Sequence, residues 1–156
     1  MDMKEISRSF AMQSFDMVLC FGNTLVHLIN LAQIESFCAQ VKTVLKSNGS
    51  FLLQILNYDH ILDHNVESLP LIENNAVAFE RYYKHDKGNN LIRFKTILTV
   101  KETGRKIEND IPLYPLRKRE LESTLRKSGF TDISYYGDFD ERELKEDSLP
   151  LVVKAI

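Results

Sequence analysis

The stretch from Phe15 to Asp59 constrains the fold most, because it reads as strand, polar loop, helix and strand in the order of a βαβ unit. Phe15-Asp16-Met17-Val18-Leu19-Cys20-Phe21 is a nearly unbroken apolar run, as expected of a parallel strand buried on both faces. It gives way to Gly22-Asn23-Thr24-Leu25-Val26-His27, where small and polar residues return. Asn30 is placed to cap a helix, with Gln33 three residues on as in a capping box. Leu31, Ile34, Phe37, Cys38, Val41, Val44 and Leu45 then recur at helical spacing along one face. Asn48-Gly49 is the expected helix stop, since glycine takes the left-handed conformation at little cost. The second strand, Phe51 to Leu56, runs into a polar loop beginning Asn57-Tyr58-Asp59-His60. A right-handed crossover puts both strand ends on one edge of a parallel sheet, where open α/β sheets bind ligands. Asn23, Thr24, His27, Asn57 and Tyr58 are therefore candidate site residues.

The pattern changes after Leu62. A polar connection with Pro70 leaves the sheet, and residues 76–113 read as an antiparallel insert of three strands. The first carries Phe79, Tyr82 and Tyr83, and Gly88-Asn89-Asn90 supplies a turn. Ile92, Phe94, Thr96, Leu98 and Val100 then alternate with polar residues as in a half-solvated strand. Such an insert either covers a pocket as a lid or extends the surface. A helix is expected from Leu116 to Ser128, capped by Gly129, with Arg117, Lys118, Arg119, Arg126 and Lys127 on a solvated face balanced by Glu120 and Glu122. Two strands, 131–136 and 149–156, close the chain around an acidic loop. The expectation is a three-layer α/β fold in one partial domain, 1–156, with 76–113 inserted.

Twenty basic and 22 acidic side chains nearly cancel, which gives no electrostatic reason to expect nucleic acid or an anionic membrane as partner. No apolar run approaches the ~18 residues of a membrane span, and Met1-Asp2-Met3-Lys4-Glu5 is unlike a signal peptide, so a cytoplasmic location is expected. Cys20 and Cys38 read as small core residues. Asp59, His60, Asp63 and His64 form an acid/His cluster at helical spacing that lacks a distant third metal ligand. Nucleophile-elbow, Walker and His-Glu-x-x-His motifs are absent. No two of the six glycines lie within two residues of each other, so the chain has no Gly-x-Gly turn for close approach to a phosphate or cofactor.

The segments Gly22-Asn23-Thr24-Leu25-Val26-His27-Leu28, Leu45 to Gly49 and Asn57-Tyr58-Asp59-His60-Ile61-Leu62 resemble the second half of a class I S-adenosylmethionine-dependent methyltransferase. The nearest resemblance is to the glycine/sarcosine N-methyltransferase type, with similar Gly-Asn-Ser-x-x-His-Leu and Asn-Tyr-Asp-x-Ile-Leu segments. Leu113-Tyr114-Pro115 and Gly137-Asp138-Phe139 are similar as well. The resemblance runs from Asp2 to the C-terminus but covers only the later part of the family's domain. It implies a Rossmann-like sheet, S-adenosylmethionine as cofactor and a small-molecule acceptor, an amine. It implies cofactor contacts for Asp2, Met3, Phe21, Gly22, Asn23 and His27, and acceptor contacts for Asn57, Tyr58 and Tyr114, with Asn57 at the acceptor's carboxylate. A frayed terminus is the other reading of Asp2.

No catalytic residue is assigned. Methyl transfer from a sulfonium is an in-line displacement on an activated donor, so the protein mainly aligns the nucleophile and excludes water. The alternative function is a non-catalytic binding or assembly module that kept the fold without the cofactor half. On either reading the missing strands leave the first strand's edge open, which implies a homodimer or a missing N-terminal segment.

Overall fold

A computed structural model describes residues 3–86 and 88–156. Asp2, expected beside the cofactor, lies outside the described residues. A 3₁₀ turn, Met3–Glu5, leads into α1 (Ile6–Ser9), and the core elements follow as β1 (Phe15–Cys20), α2 (Leu31–Val44) and β2 (Leu45–Leu56). The chain continues through α3 (Tyr58–Asp63), β3 (Ile72–Glu73), β4 (Val77–Asp86), β5 (Leu91–Val100) and β6 (Lys106–Leu113). It ends with α4 (Lys118–Lys127), β7 (Ile133–Tyr136) and β8 (Pro150–Ala155). Among the described residues these strands form two sheets, ordered β1-β2-β8-β7 and β3-β4-β5-β6. The β1–β2 pair is parallel, while β8 runs antiparallel between β2 and β7. The second sheet is antiparallel throughout.

The α/β sheet buries one face. Register aligns Val18 with Phe51 and Cys20 with Leu53, then Leu53 with Val153 and Val153 with Tyr135. Helices cover this face. Phe37 of α2 meets Phe51 edge-on at 6.1 Å, Phe130 packs on Phe51 at 6.0 Å, and Lys118 of α4 lies over the Tyr135 ring at 4.5 Å. Burying each such aromatic contributes about 1.5–3 kcal/mol, which makes this the chain's main apolar store.

Several expectations need correction. The three-layer arrangement is a two-layer one among the described residues, because α2 and α4 lie on the same side. The apolar run at β1 is accordingly not buried on both faces: Met17 is 51% and Leu19 56% exposed. Alternation is hidden in β1 because its outward positions are apolar too.

Gly49 does not stop the helix. The helix ends at Val44, and Leu45 already has an extended backbone (φ −73°, ψ 140°). β1 and β2 pair Phe15 with Leu45 and then Met17 with Ser50, so residues 46–49 bulge opposite Asp16. Lys46 reaches across that bulge to Asp16 at 2.8 Å. A Cβ on Gly49 would stand 3.0 Å from the Leu45 side chain, 3.0 Å from the Lys46 carbonyl and 3.1 Å from the Phe15 carbonyl. Close approach of backbones, rather than a left-handed turn, is what requires glycine here.

The polar loop expected after β2 is instead α3, which Asn57 caps by accepting the His60 amide at 3.4 Å. The last helix begins two residues later than the pattern suggests. Arg117 is not on its solvated face: it bonds Asp59 of α3 at 2.9 Å and Asp63 at 2.7 Å. Those bonds occupy two members of the acid/His cluster, and no set of three or more potential metal ligands occurs among the described residues. Among the described residues, too, no helix is long and apolar enough to cross a membrane.

Replacing Gly49 with alanine should destabilise the chain by about 1–3 kcal/mol in urea unfolding, as overpacking against backbone does. A second expectation concerns the thiols. Burial pushes Cys20 up to about 11 and Cys38 up to about 12, against an ordinary 9.0. The folded chain holds these protons where the unfolded chain releases them, so their contribution is full below about pH 9 and lost as pH rises toward 12. The thermal midpoint should fall across that window, and less steeply in Cys38→Ala.

Candidate functional site

The carboxyl ends of β1 and β2 and the inner face of the β4–β5 hairpin enclose a cleft of about 340 Å³. Gly22, Asn23, His27, Gln54 and Leu56 line it on the α/β side, and Leu69, Phe79, Arg81, Tyr83 and Phe94 line it on the other. Its floor is a polar knot. Asn23 sits in the left-handed region (φ 62°), which asparagine tolerates, and this turns its side chain back over the strand ends. Its Oδ1 accepts the Leu56 amide at 3.0 Å, while its Nδ2 donates to the Tyr58 hydroxyl at 2.9 Å. The Gly22 amide donates to Gln54 Oε1 at 2.9 Å. Both strand ends are thereby fixed to each other by side chains, at the point where the sheet's own ladder stops.

Arg81 dominates the opposite wall. Residues 79, 81 and 83 alternate onto one face of β4, and Tyr83 stacks on Phe94 across the hairpin at 5.1 Å. The Arg81 guanidinium donates to the Pro70 carbonyl at 2.6 Å and lies 5.8 Å from the Phe79 ring centre. Its Nε is buried without a hydrogen-bond partner. Arg81 brings a half-buried positive charge to the cleft wall, so the cleft suits a ligand that carries an acceptor or a negative charge.

The structure divides the expected site residues. Gly22, Asn23 and His27 line the cleft, with the exposed His27 ending a 3₁₀ turn, Thr24–His27, whose Leu25 and Val26 are buried. Phe21 sits just outside and packs edge-on against Phe139 at 5.0 Å. Met3 packs against the core and does not line the cleft. Tyr58 is completely buried, its hydroxyl serving Asn23, and burial pushes its proton affinity far up. Asn57 is buried too, donating to the Ser148 carbonyl at 3.0 Å. Tyr114 gives its hydroxyl to Glu120 at 2.9 Å, and desolvation, helped by that carboxylate, pushes it up to about 12. None of these three lines the cleft. Sequence reading did not single out Gln54 or Arg81, and had Phe79 and Phe94 only as part of the antiparallel insert. The available signal was the alternation Phe79-x-Arg81-x-Tyr83, which places one cation between two aromatics on one strand face.

No protein-family profile matches the chain. A solved S-adenosylmethionine-dependent methyltransferase from Clostridium acetobutylicum superposes on 96% of the chain and 61% of its own length, with TM-score 0.79 and 13% identity. The chain has the fold of the C-terminal part of a class I methyltransferase. Two curated relatives agree in sequence with this partial class I fold. The glycine/sarcosine N-methyltransferase of Aphanothece halophytica is 31% identical over 94% of the chain and 52% of its own length. That of Halorhodospira halochloris is 31% identical over 80% of the chain and 44% of its own length. The chain thus spans about half the length of these relatives.

The knot gives a direct expectation. Tyr58→Phe keeps the ring and leaves Asn23 Nδ2 unpaired, which should cost about 1–3 kcal/mol in chemical denaturation. Exchange protection of the Leu56 amide should drop with it.

Proposed function

We propose that this chain is the acceptor-side part of an S-adenosylmethionine-dependent N-methyltransferase whose acceptor is a small amine carrying a carboxylate. The observation that carries this reading is Arg81, a half-buried cation among Phe79, Tyr83 and Phe94 in a cleft at the end of a class I sheet. The relatives' names, glycine/sarcosine N-methyltransferase, support the same acceptor chemistry.

The residues present fit one flank of the cofactor. Gly22 has φ +71° and open space at its missing side chain, where a Cβ would meet nothing nearer than the Thr24 hydroxyl at 4.0 Å. Gly22, Asn23 and His27 would hold that flank, whereas Met3 is turned into the core. S-adenosylmethionine supplies an electrophilic methyl group, so this chain's task is alignment and exclusion of water. Arg81 anchors the acceptor's carboxylate by charge-assisted hydrogen bonds. Phe79, Tyr83 and Phe94 shut out solvent around the amine, with β4, β5 and β6 acting as the lid. His27 is the polar group at the cleft placed to take the acceptor's proton.

Saturation-transfer NMR tests the acceptor chemistry without cofactor. Sarcosine should bind in preference to dimethylamine, which lacks the carboxylate. Arg81→Ala should abolish that preference, a loss of about 1.5–3 kcal/mol or roughly 10- to 150-fold. Equal binding of the two amines, or an unchanged preference in the variant, would refute the reading.

A further inference from the structure

Tyr83 lines a second cavity, of about 170 Å³, as well as the cleft. That is roughly the space of five waters, at about 30 Å³ of liquid each. It forms where the end of α3 meets the β4–β5 hairpin. The helix stops at Asp63, Asn65 turns the chain with φ 49°, and the Val66 amide returns to the Ile61 carbonyl at 2.9 Å. The Glu67 carbonyl then accepts the Tyr83 amide at 2.8 Å, which ties this connection to β4. Alternation along β4 puts His85 on the same strand face as Arg81 and Tyr83, and register sets it beside Ile92. Ile61, Val66 and Ile92 give the cavity apolar walls.

Asn65 and Glu67 line the cavity from exposed positions, with Asn65 Nδ2 donating to Glu67 Oε1 at 3.4 Å. Glu67 makes no ion pair among the described residues. His85 Nε2 is buried and has no hydrogen-bond partner among them. Lys84 also borders the cavity, but alternation turns its side chain to the other face of β4, where its register partner Arg93 pairs with Asp110 at 3.0 Å. A carboxylate, an amide and an imidazole therefore face a space with short aliphatic walls. We propose that this cavity binds a small organic ammonium ion, its charged nitrogen donating to Glu67 and to His85 Nε2 and its alkyl body lying against Ile61, Val66 and Ile92. Charge-assisted hydrogen bonds supply the polar part of such binding, and burial of the alkyl body supplies the rest. An anion of the same size would meet the Glu67 carboxylate, so the site discriminates by charge. The inference rests on the cavity's own residues and not on the acceptor reading. Since Tyr83 stacks on Phe94, an ion held here also braces one ring of the cleft wall.

Side-chain NMR of the 156-residue chain tests the site with n-butylammonium, and with n-butyrate as a body of similar size and opposite charge. Butylammonium should move the His85, Tyr83 and Ile92 resonances saturably and bind at least tenfold more tightly than butyrate. Glu67→Gln, a change at an exposed position that should leave the far-UV circular dichroism unaltered, should remove most of that preference. His85→Phe keeps a ring of similar size without the nitrogens and should weaken binding severalfold. The absence of a saturable shift, equal binding of the two ions, a preference that survives Glu67→Gln, or binding unmoved by His85→Phe would each overturn the proposal. Shifts confined to Phe79 and His27 would put the ion in the cleft and overturn it too. The test changes neither Arg81 nor the carboxylate of an acceptor, so its outcome is independent of whether Arg81 selects a carboxylate.

Discussion

The cleft depends on how Asn23 spans two strand ends. A parallel pair has no hairpin to hold its ends together, so the geometry beyond the last ladder bond must come from side chains. Here one amide does it, with its oxygen on the Leu56 backbone and its nitrogen on the buried Tyr58 hydroxyl. The left-handed backbone at Asn23 is what permits both contacts, and the Gly22–Gln54 bond beside it fixes the approach. Every group placed around the cleft on the sheet side follows from that small knot.

The second sheet is held against this floor by separate ties. The Tyr114 amide donates to the Val26 carbonyl at 2.9 Å, joining the exit of β6 to the turn that carries His27. Residues 67–69 run beside β4 and connect it to the end of α3. Arg117 then clamps α3 to the start of α4, with Asp59 also accepting the Lys118 amide at 2.9 Å. These ion pairs are partly exposed and each stabilises modestly, but together they fix the orientation of the helix that presents Tyr58. Arg81, facing the floor from β4, therefore has a defined distance to hold.

Much of the fold could be read from the sequence. Leu91–Val100 was marked by alternation after a glycine turn, and Asn30 by its capping pattern, which the structure shows as a 2.9 Å bond from the Gln33 amide. Local chemistry decides such features, so local pattern reveals them. Gly49 failed for the opposite reason. A glycine needed for backbone approach and one needed for a left-handed turn look alike in sequence, and the choice was made by Phe15, 34 residues away. Met17 and Leu19 failed because apolar character says that a surface is to be covered, without saying that this chain covers it.

The site divides in the same way. Sequence alone determined that polar residues gather where two parallel strands end, that Gly22, Asn23 and His27 sit there, and that an aromatic-rich antiparallel insert follows. Tertiary structure alone decided that Tyr58 and Asn57 face inward as supports and that Arg81, 58 residues beyond Asn23, supplies the opposing charge. The physical reason is range. Strand, cap and turn preferences act over a few neighbouring residues, whereas whether a polar group ends up satisfied or waiting for a ligand depends on what the rest of the chain brings to it.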